Sequence, residues 1–115
     1  MFKNSEFNGD ISDWNVSNVR EMYETFMNSK FNQDISNWDV SNVKLISRMF
    51  TLSQFNQDIS KWDVSNVKNM DFAFVGSHFC QDLSGWNLTN CTSHKDPFKD
   101  SPLAQRPHLK PTKIL

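Results

Sequence analysis

The sequence lacks long apolar runs, a surplus of one charge and an apolar segment after its first residue. None of its apolar stretches approaches the roughly 18 residues of a membrane-spanning helix. The formal net charge is only −1 at pH 7, so charge does not draw the chain to nucleic acid or an anionic membrane. We therefore expect no membrane insertion, no nucleic-acid partner and no secretory signal in the sequence as written.

Residues that build catalytic and metal sites are also scarce. Three glycines do not make a phosphate-binding loop, and two cysteines without a Cys-x-x-Cys pair do not match a metal site. The histidines, His78, His94 and His108, accompany no serine and carboxylate in a catalytic pattern. We predict that the protein is not an enzyme and that it holds no cofactor and no metal.

Alanine and glutamate are nearly absent, with two and three residues against 13 asparagines, 14 serines and 10 aspartates. Asn, Ser and Asp favour turns and helix caps over helix interiors, because their side chains compete for backbone hydrogen bonds. This composition argues against a helical bundle.

A repeat of 24 residues runs through most of the chain. Residues 31–54 match residues 55–78 at 15 of 24 positions, and all four tryptophans are 24 residues apart. Units this short cannot bury an apolar face alone, so we expect them to stack around one continuous core. The units are 1–6 (partial), 7–30, 31–54, 55–78 and 79–102 (degenerate), followed by a tail at 103–115. A start within a unit predicts a fragment of a longer array, or a short stub that serves as a cap.

The spacing of apolar residues changes within a unit. Trp38 and Val40 are two residues apart, which is typical of a short strand with both side chains inward. Val43, Ile46 and Phe50 are three and four residues apart, which is typical of one or two helical turns. The pattern therefore predicts a repeat solenoid with a short parallel β-sheet on one side and short helical turns on the other.

The string Phe-Asn-Gln-Asp-Ile-Ser-x-Trp-Asp-Val-Ser-Asn-Val, followed later by Met-Phe, resembles the BspA-type leucine-rich repeat. It is most similar to the variant found in mycoplasma-type surface lipoproteins and mobile bacterial repeat elements. The resemblance covers residues 1–102 and implies an α/β leucine-rich-repeat solenoid in a bacterial protein, often at the cell surface, with an adhesion or interaction role. Cys80, Cys91 and Pro97 depart from the repeat pattern.

The tryptophan column is predicted to lie in the core, as a stack of indole rings. Trp38 shares its side of the predicted strand with the apolar Val40, which favours burial over an exposed strip for sugars or peptides. The asparagine column is predicted to satisfy backbone groups at the turns. Its members are Asn18, Asn42, Asn66 and Asn90.

A column of carboxylates allows two interpretations. Like charges repeated at every unit repel one another unless backbone N–H groups or a cation satisfy them. The first and favoured interpretation is a local hydrogen bond from the backbone two residues later. The second is calcium held between adjacent units. The column comprises Asp10, Asp34, Asp58 and Asp82.

A second polar column is the candidate partner-binding face. These residues alternate with the Trp and Val columns, so the predicted strand turns them outward, and residues two positions earlier extend the same face. The alternative is a face that is only solvated. The six candidate residues are Asn15, Asn37, Asp39, Lys61, Asp63 and Asn87.

The two ends of the array carry further expectations. Prolines at 97, 102, 107 and 111 end the repeat near residues 96–102. The tail is either extended or disordered, or it covers the last unit with Leu109, Ile114 and Leu115. The N-terminal end has only residues 1–6 to cover it, so we expect a homodimer through this end. Cys80 and Cys91 either form a disulfide or leave Cys91 as a small buried residue.

Regular columns suit a binding surface better than a catalytic site, because an array repeats one residue type where catalysis needs different types that converge once. The sequence thus predicts a non-enzymatic interaction or adhesion module that binds a protein or a surface ligand. The alternative is a structural remnant of a mobile repeat array with no binding activity of its own.

Overall fold

The computed structural model describes residues 2–112, and turns dominate this part of the chain. Its helices are two short 3₁₀ helices, Pro102–Gln105 and Pro107–Leu109. No extended strand forms in the described residues, and β pairing is limited to isolated parallel bridges that join Glu21, Leu45, Asn69 and Ser93 in succession. The radius of gyration is 12.7 Å, which is typical of a compact globule of this size. The predicted leucine-rich-repeat solenoid with a parallel β-sheet is therefore wrong.

The two-residue spacing that predicted a strand comes from consecutive turns. The Trp38 N–H closes one turn on the Ile35 carbonyl at 3.1 Å, and the Val43 N–H closes the next turn on the Val40 carbonyl at 3.0 Å. Only one residue lies between the two turns, so no run of extended residues is long enough for a ladder. The side chains of Trp38 and Val40 are nevertheless both buried, as the spacing predicted.

The predicted helical turns are also wrong, and tight turns replace them. The Met49 N–H bonds the Ile46 carbonyl and the Ser53 N–H bonds the Phe50 carbonyl, both at 3.0 Å. The third residue of each turn has a positive φ, 54° at Arg48 and 58° at Leu52, a conformation that no α-helix contains. Successive four-residue turns thus reproduce the three- and four-residue spacing of a helix.

Backbone hydrogen bonds join each unit to the next one in register. The N–H groups of Met22, Ile46 and Met70 donate to carbonyls 23 residues later, at 2.8–3.0 Å. These bonds alternate with the turn bonds, so little of the backbone is left unpaired inside the array. The units therefore pack on one another although they form no sheet.

The core between the units is a double column of phenyl rings. In one column, rings of adjacent units are 5.2–5.7 Å apart between centroids. In the second, the spacing is 6.1–6.5 Å. Stacked rings at these distances add stability beyond the area that they bury. The first column comprises Phe2, Phe26, Phe50, Phe74 and Phe98, and the second comprises Phe7, Phe31, Phe55 and Phe79.

The tryptophans lie beside the phenyl columns rather than in a stack of their own. Burial is confirmed for Trp38, Trp62 and Trp86, which are 2–6% exposed. Each of these indoles donates from Nε1 to an Ile carbonyl of the preceding unit at 3.0–3.1 Å. The prediction of core burial is wrong for Trp14, which is 46% exposed in the first unit. The expected stack of indoles is replaced by the stack of phenylalanines.

The tail covers the last unit. Leu103 is fully buried and Leu109 packs against the core. The Leu83 N–H donates to the Leu109 carbonyl at 2.8 Å, which ties the second 3₁₀ helix to the unit beneath it. Of the two alternatives for the tail, the described residues adopt the cap. Ile114 and Leu115, which were expected to contribute to it, lie outside the described residues.

Candidate interaction surfaces

The six predicted partner-binding residues are all exposed, and we call them the outer ribbon: Asn15, Asn37, Asp39, Lys61, Asp63 and Asn87. The sequence had predicted that they lie on the outer face of a sheet. The structure places two of them within tight turns and the other four between consecutive turns. Asn37 and Lys61 occupy the third position of the turns that begin at Ile35 and Ile59. The ribbon therefore follows the corners of successive units.

Four ribbon residues stabilise the turns that follow them in the chain. Oδ1 of Asp39 accepts hydrogen bonds from the Ser41 N–H at 3.0 Å and the Ser41 hydroxyl at 2.6 Å. Asp63 makes the same pair of bonds with Ser65. These bonds, the hydroxyl first, hold the pKa of both carboxyls below the usual value, so both stay charged at neutral pH. One oxygen of each carboxylate has a structural role, and the second accepts no hydrogen bond from residues 2–112.

The asparagines at the two ends of the ribbon make the same turn without a charge. Oδ1 of Asn15 accepts from the Ser17 N–H and hydroxyl at 3.0 and 2.6 Å. Asn87 accepts from Thr89 at 3.2 and 2.8 Å. An amide oxygen thus replaces the carboxylate oxygen at this position, which provides a charge-free substitution that keeps the turn.

The carboxylate column is explained by local turns. Asp34 Oδ1 accepts from the Ser36 N–H at 2.8 Å, and the other three carboxylates accept from the serine two residues later at 2.8–2.9 Å. This confirms the favoured interpretation, and hydrogen bonding by that serine lowers the pKa of all four. Residues 2–112 contain no group of three side chains arranged to hold a metal ion.

The asparagine column connects neighbouring turns, as predicted. Nδ2 of Asn42 donates to the Ser17 carbonyl at 2.7 Å, and Nδ2 of Asn66 donates to the Ser41 carbonyl at 2.6 Å. Asn90 continues the series with the Ser65 carbonyl at 2.9 Å. Each bond satisfies a turn carbonyl of the preceding unit.

The sequence analysis did not predict a second ladder of amide side chains. Asn32 Oδ1 accepts from the Asn56 N–H at 2.8 Å and from Gln57 Nε2 at 3.1 Å. Asn8 and Asn56 accept in the same way from the units that follow them. The Phe-Asn-Gln strings of successive units were the signal for it. The ladder ends at Cys80, which donates its N–H but carries no amide to accept the next bond.

The two cysteines form no disulfide, and both are free thiols. Cys91 packs against the core as a partly buried residue, and burial raises the pKa of its thiol. Its Sγ lies 3.3 Å from the Ser93 carbonyl. Of the two alternatives, the structure favours the small apolar residue.

An apolar surface is open at the N-terminal end. Phe7 and Trp14 are 40% and 46% exposed, whereas the residues at the same positions of later units are buried. Tyr23 is 51% exposed, and the later units carry polar residues at its position that are not buried either. Trp14 and Tyr23 border a groove of about 490 Å³, which we call the N-terminal groove. Its apolar lining is Phe2, Trp14, Val16, Val19, Met22, Tyr23 and Trp38. No helix in residues 2–112 is long and apolar enough to cross a membrane.

Comparison with known proteins gives one result. Residues 1–109 match the model of a family described as Mycoplasma protein of unknown function, DUF285. No match to a curated protein or to a solved structure is found. The resemblance to the BspA-type leucine-rich repeat is therefore wrong as an assignment, because a different family model matches and residues 2–112 contain no sheet.

Proposed function

We propose that this chain, which belongs to the Mycoplasma family of unknown function DUF285, is a non-enzymatic module that binds a protein or a surface ligand. The observation that carries the proposal is the outer ribbon, in which six side chains are exposed at regular intervals. Hydrogen bonds within each turn fix the backbone beneath four of them. A surface held in this way loses little conformational freedom when a partner binds.

The chemistry of the ribbon favours a basic partner. Asp39 and Asp63 occupy the middle of the ribbon, and each is an exposed residue with one carboxylate oxygen that the turn does not use. Because their pKa values are lowered, both remain charged down to acidic pH. The amides of Asn15, Asn37 and Asn87 add hydrogen-bonding groups of both kinds. We infer that the partner presents lysine or arginine side chains and hydrogen-bonding groups.

The test removes the charge and keeps the turn. In an Asp39→Asn/Asp63→Asn variant, the amide oxygen should preserve the serine bonds, as Asn15 already does. The matched control is Asp34→Asn/Asp58→Asn, which changes the net charge equally but lies in the other carboxylate column. The immobilised wild type and both variants are incubated with solubilised cell-surface proteins, and the retained proteins are compared.

A protein retained by the wild type and the control, and lost from the ribbon variant, supports the proposal. Equal retention by all three would contradict the ribbon as the binding site. Retention of nothing would favour the alternative, a structural remnant without binding activity. The homodimer through the N-terminal end stays a prediction, and light scattering at high concentration measures it.

A further inference from the structure

The first unit is covered over only part of its outer face. Residues 2–6, the N-terminal stub, pair with the second half of the unit, where the Phe2 N–H donates to the Thr25 carbonyl and the Asn4 N–H to the Met27 carbonyl, each at 2.9 Å. Beside the stub lies the N-terminal groove, whose lining from this unit runs from Trp14 to Thr25, and Trp14 is 46% exposed there. The stub and the groove therefore lie on the same face of the first unit, and the stub covers only its own part of that face.

The first unit also lacks hydrogen bonds that every later unit donates to the unit before it. Between units 31–54 and 55–78, four donors find acceptors in the preceding unit at 2.6–3.0 Å. These donors are Trp62 Nε1, Asn66 Nδ2, and the N–H groups of Asn56 and Lys68. Each of the four series of bonds begins with a donor of the second unit, and the equivalent donors of the first unit make no hydrogen bond within residues 2–112. These equivalents are Trp14 Nε1, Asn18 Nδ2, and the N–H groups of Asn8 and Arg20.

We propose that the N-terminal groove binds a segment of this repeat sequence, equivalent to residues 31–48, from another polypeptide. That segment carries all four acceptors, since in this structure Asn32 Oδ1 and the carbonyls of Ile35, Ser41 and Lys44 receive the four bonds named above. It would end where the stub begins, because residues 49–50 are the equivalents of Met1 and Phe2.

The apolar side chains of the segment fit the same register. Val40, Val43 and Ile46 are buried in this structure and lie one unit before Val64, Val67 and Met70. In the groove, their counterparts would cover Val16, Val19 and Met22, which line it. The contact thus continues the interface that joins every pair of units in the molecule.

A second copy of the whole chain fits less well. Its last unit is covered by the tail, with Leu103 fully buried. Its first unit presents the same four donors as the groove and not the acceptors that the groove needs. A segment of repeat sequence supplies the acceptors and the apolar side chains together.

The test uses the full chain and a synthetic peptide with the sequence of residues 31–48. Titration calorimetry should give saturable one-to-one binding, with a dissociation constant of roughly 10 μM to 1 mM because the peptide must order on binding. In hydrogen exchange followed by NMR, the Trp14 indole N–H should become protected when the peptide is added. A shuffled peptide of the same composition is the ligand control.

The variant Trp14→Ala should weaken binding at least about tenfold, because it removes the exposed ring and the donor. Lys99→Ala, at the other end of the molecule, should bind like the wild type, and circular dichroism verifies that both variants are folded. Three results would overturn the proposal: no binding at millimolar peptide, equal binding of the shuffled peptide, or a dimer that Trp14→Ala abolishes. Because the outer ribbon is not altered, failure here leaves the proposed function in place.

Discussion

The two ends of this molecule solve the same physical problem differently. At the C-terminal end, the tail buries Leu103 completely and bonds to Leu83, so the last unit is covered. At the N-terminal end, the stub covers part of the first unit and leaves Trp14 46% exposed. A stack of repeats always presents two unsatisfied faces, and only special sequence covers them. Within residues 2–112, the face of the last unit is covered and that of the first unit is covered only in part.

The largest expected effect is the difference in stability loss between a buried and a half-exposed tryptophan of the same column. Trp62→Ala should lower the free energy of unfolding by about 3–5 kcal/mol, because it leaves a cavity and removes the donor to the Ile35 carbonyl. The same change at the half-exposed Trp14 should cost about 1 kcal/mol or less. Urea unfolding of both variants measures the difference. Equal losses would contradict the description of the N-terminal end as open.

The second prediction concerns the sealed end. Leu103→Ala should cost about 2–5 kcal/mol, because a fully buried leucine loses its contacts where the surroundings cannot fully collapse. Leu109→Ala is the control, since that side chain is only partly buried and its backbone carbonyl keeps the bond to Leu83. The control should unfold at a higher urea concentration than Leu103→Ala. If truncation at Leu103 left the midpoint unchanged, the tail would not be a structural cap.

The smallest effect is a response to acid that should be shared by both ends. The pKa of Asp10 and that of Asp82 are lowered in the folded state, mainly by Ser12 and Ser84. A lowered pKa gives stability that is present above the unfolded value of about 3.9 and is lost as the pH falls through the folded value. The protein should therefore melt at a lower temperature near pH 3 than near pH 7.

Asparagine substitutions separate this effect from the general response to acid. Asp10→Asn and Asp82→Asn should each reduce the drop in melting temperature by a similar small amount, because each turn bond lies within a single unit. If only one variant reduced the drop in melting temperature, the contribution of these carboxylates to stability would depend on how their unit is covered. Differential scanning calorimetry at both pH values gives the comparison.

The sequence predicted the features that depend on one residue type in one column. The burial of Trp38 and Trp62, the local turns at Asp34 and the amide bonds of Asn42 all follow from polarity and from short-range geometry. The sheet and the helical turns were wrong for one reason. A two-residue or a four-residue spacing is shared by strands, helices and successive tight turns, and only the backbone torsion angles separate them.

The ends could not be predicted from the repeat because they depend on what covers them. Trp14 and Trp38 share the pattern Ile-Ser-x-Trp-x-Val-Ser-Asn-Val, yet Trp14 is 46% exposed because no preceding unit covers it in residues 2–112. Leu103 lies in a proline-rich segment that reads as a loose tail, and its burial depends on a unit that precedes it in the chain. In both cases the deciding contact lies outside the local pattern.

The bonds between units have one further consequence for how such a protein can change its length. The buried indoles, the amides of the two ladders and the phenyl rings reach no further than the adjacent unit. An internal unit therefore meets the same surroundings wherever it is inserted. Whole units can be duplicated or deleted in a gene without redesign of their neighbours, provided that the sequence which seals the last unit stays at the end.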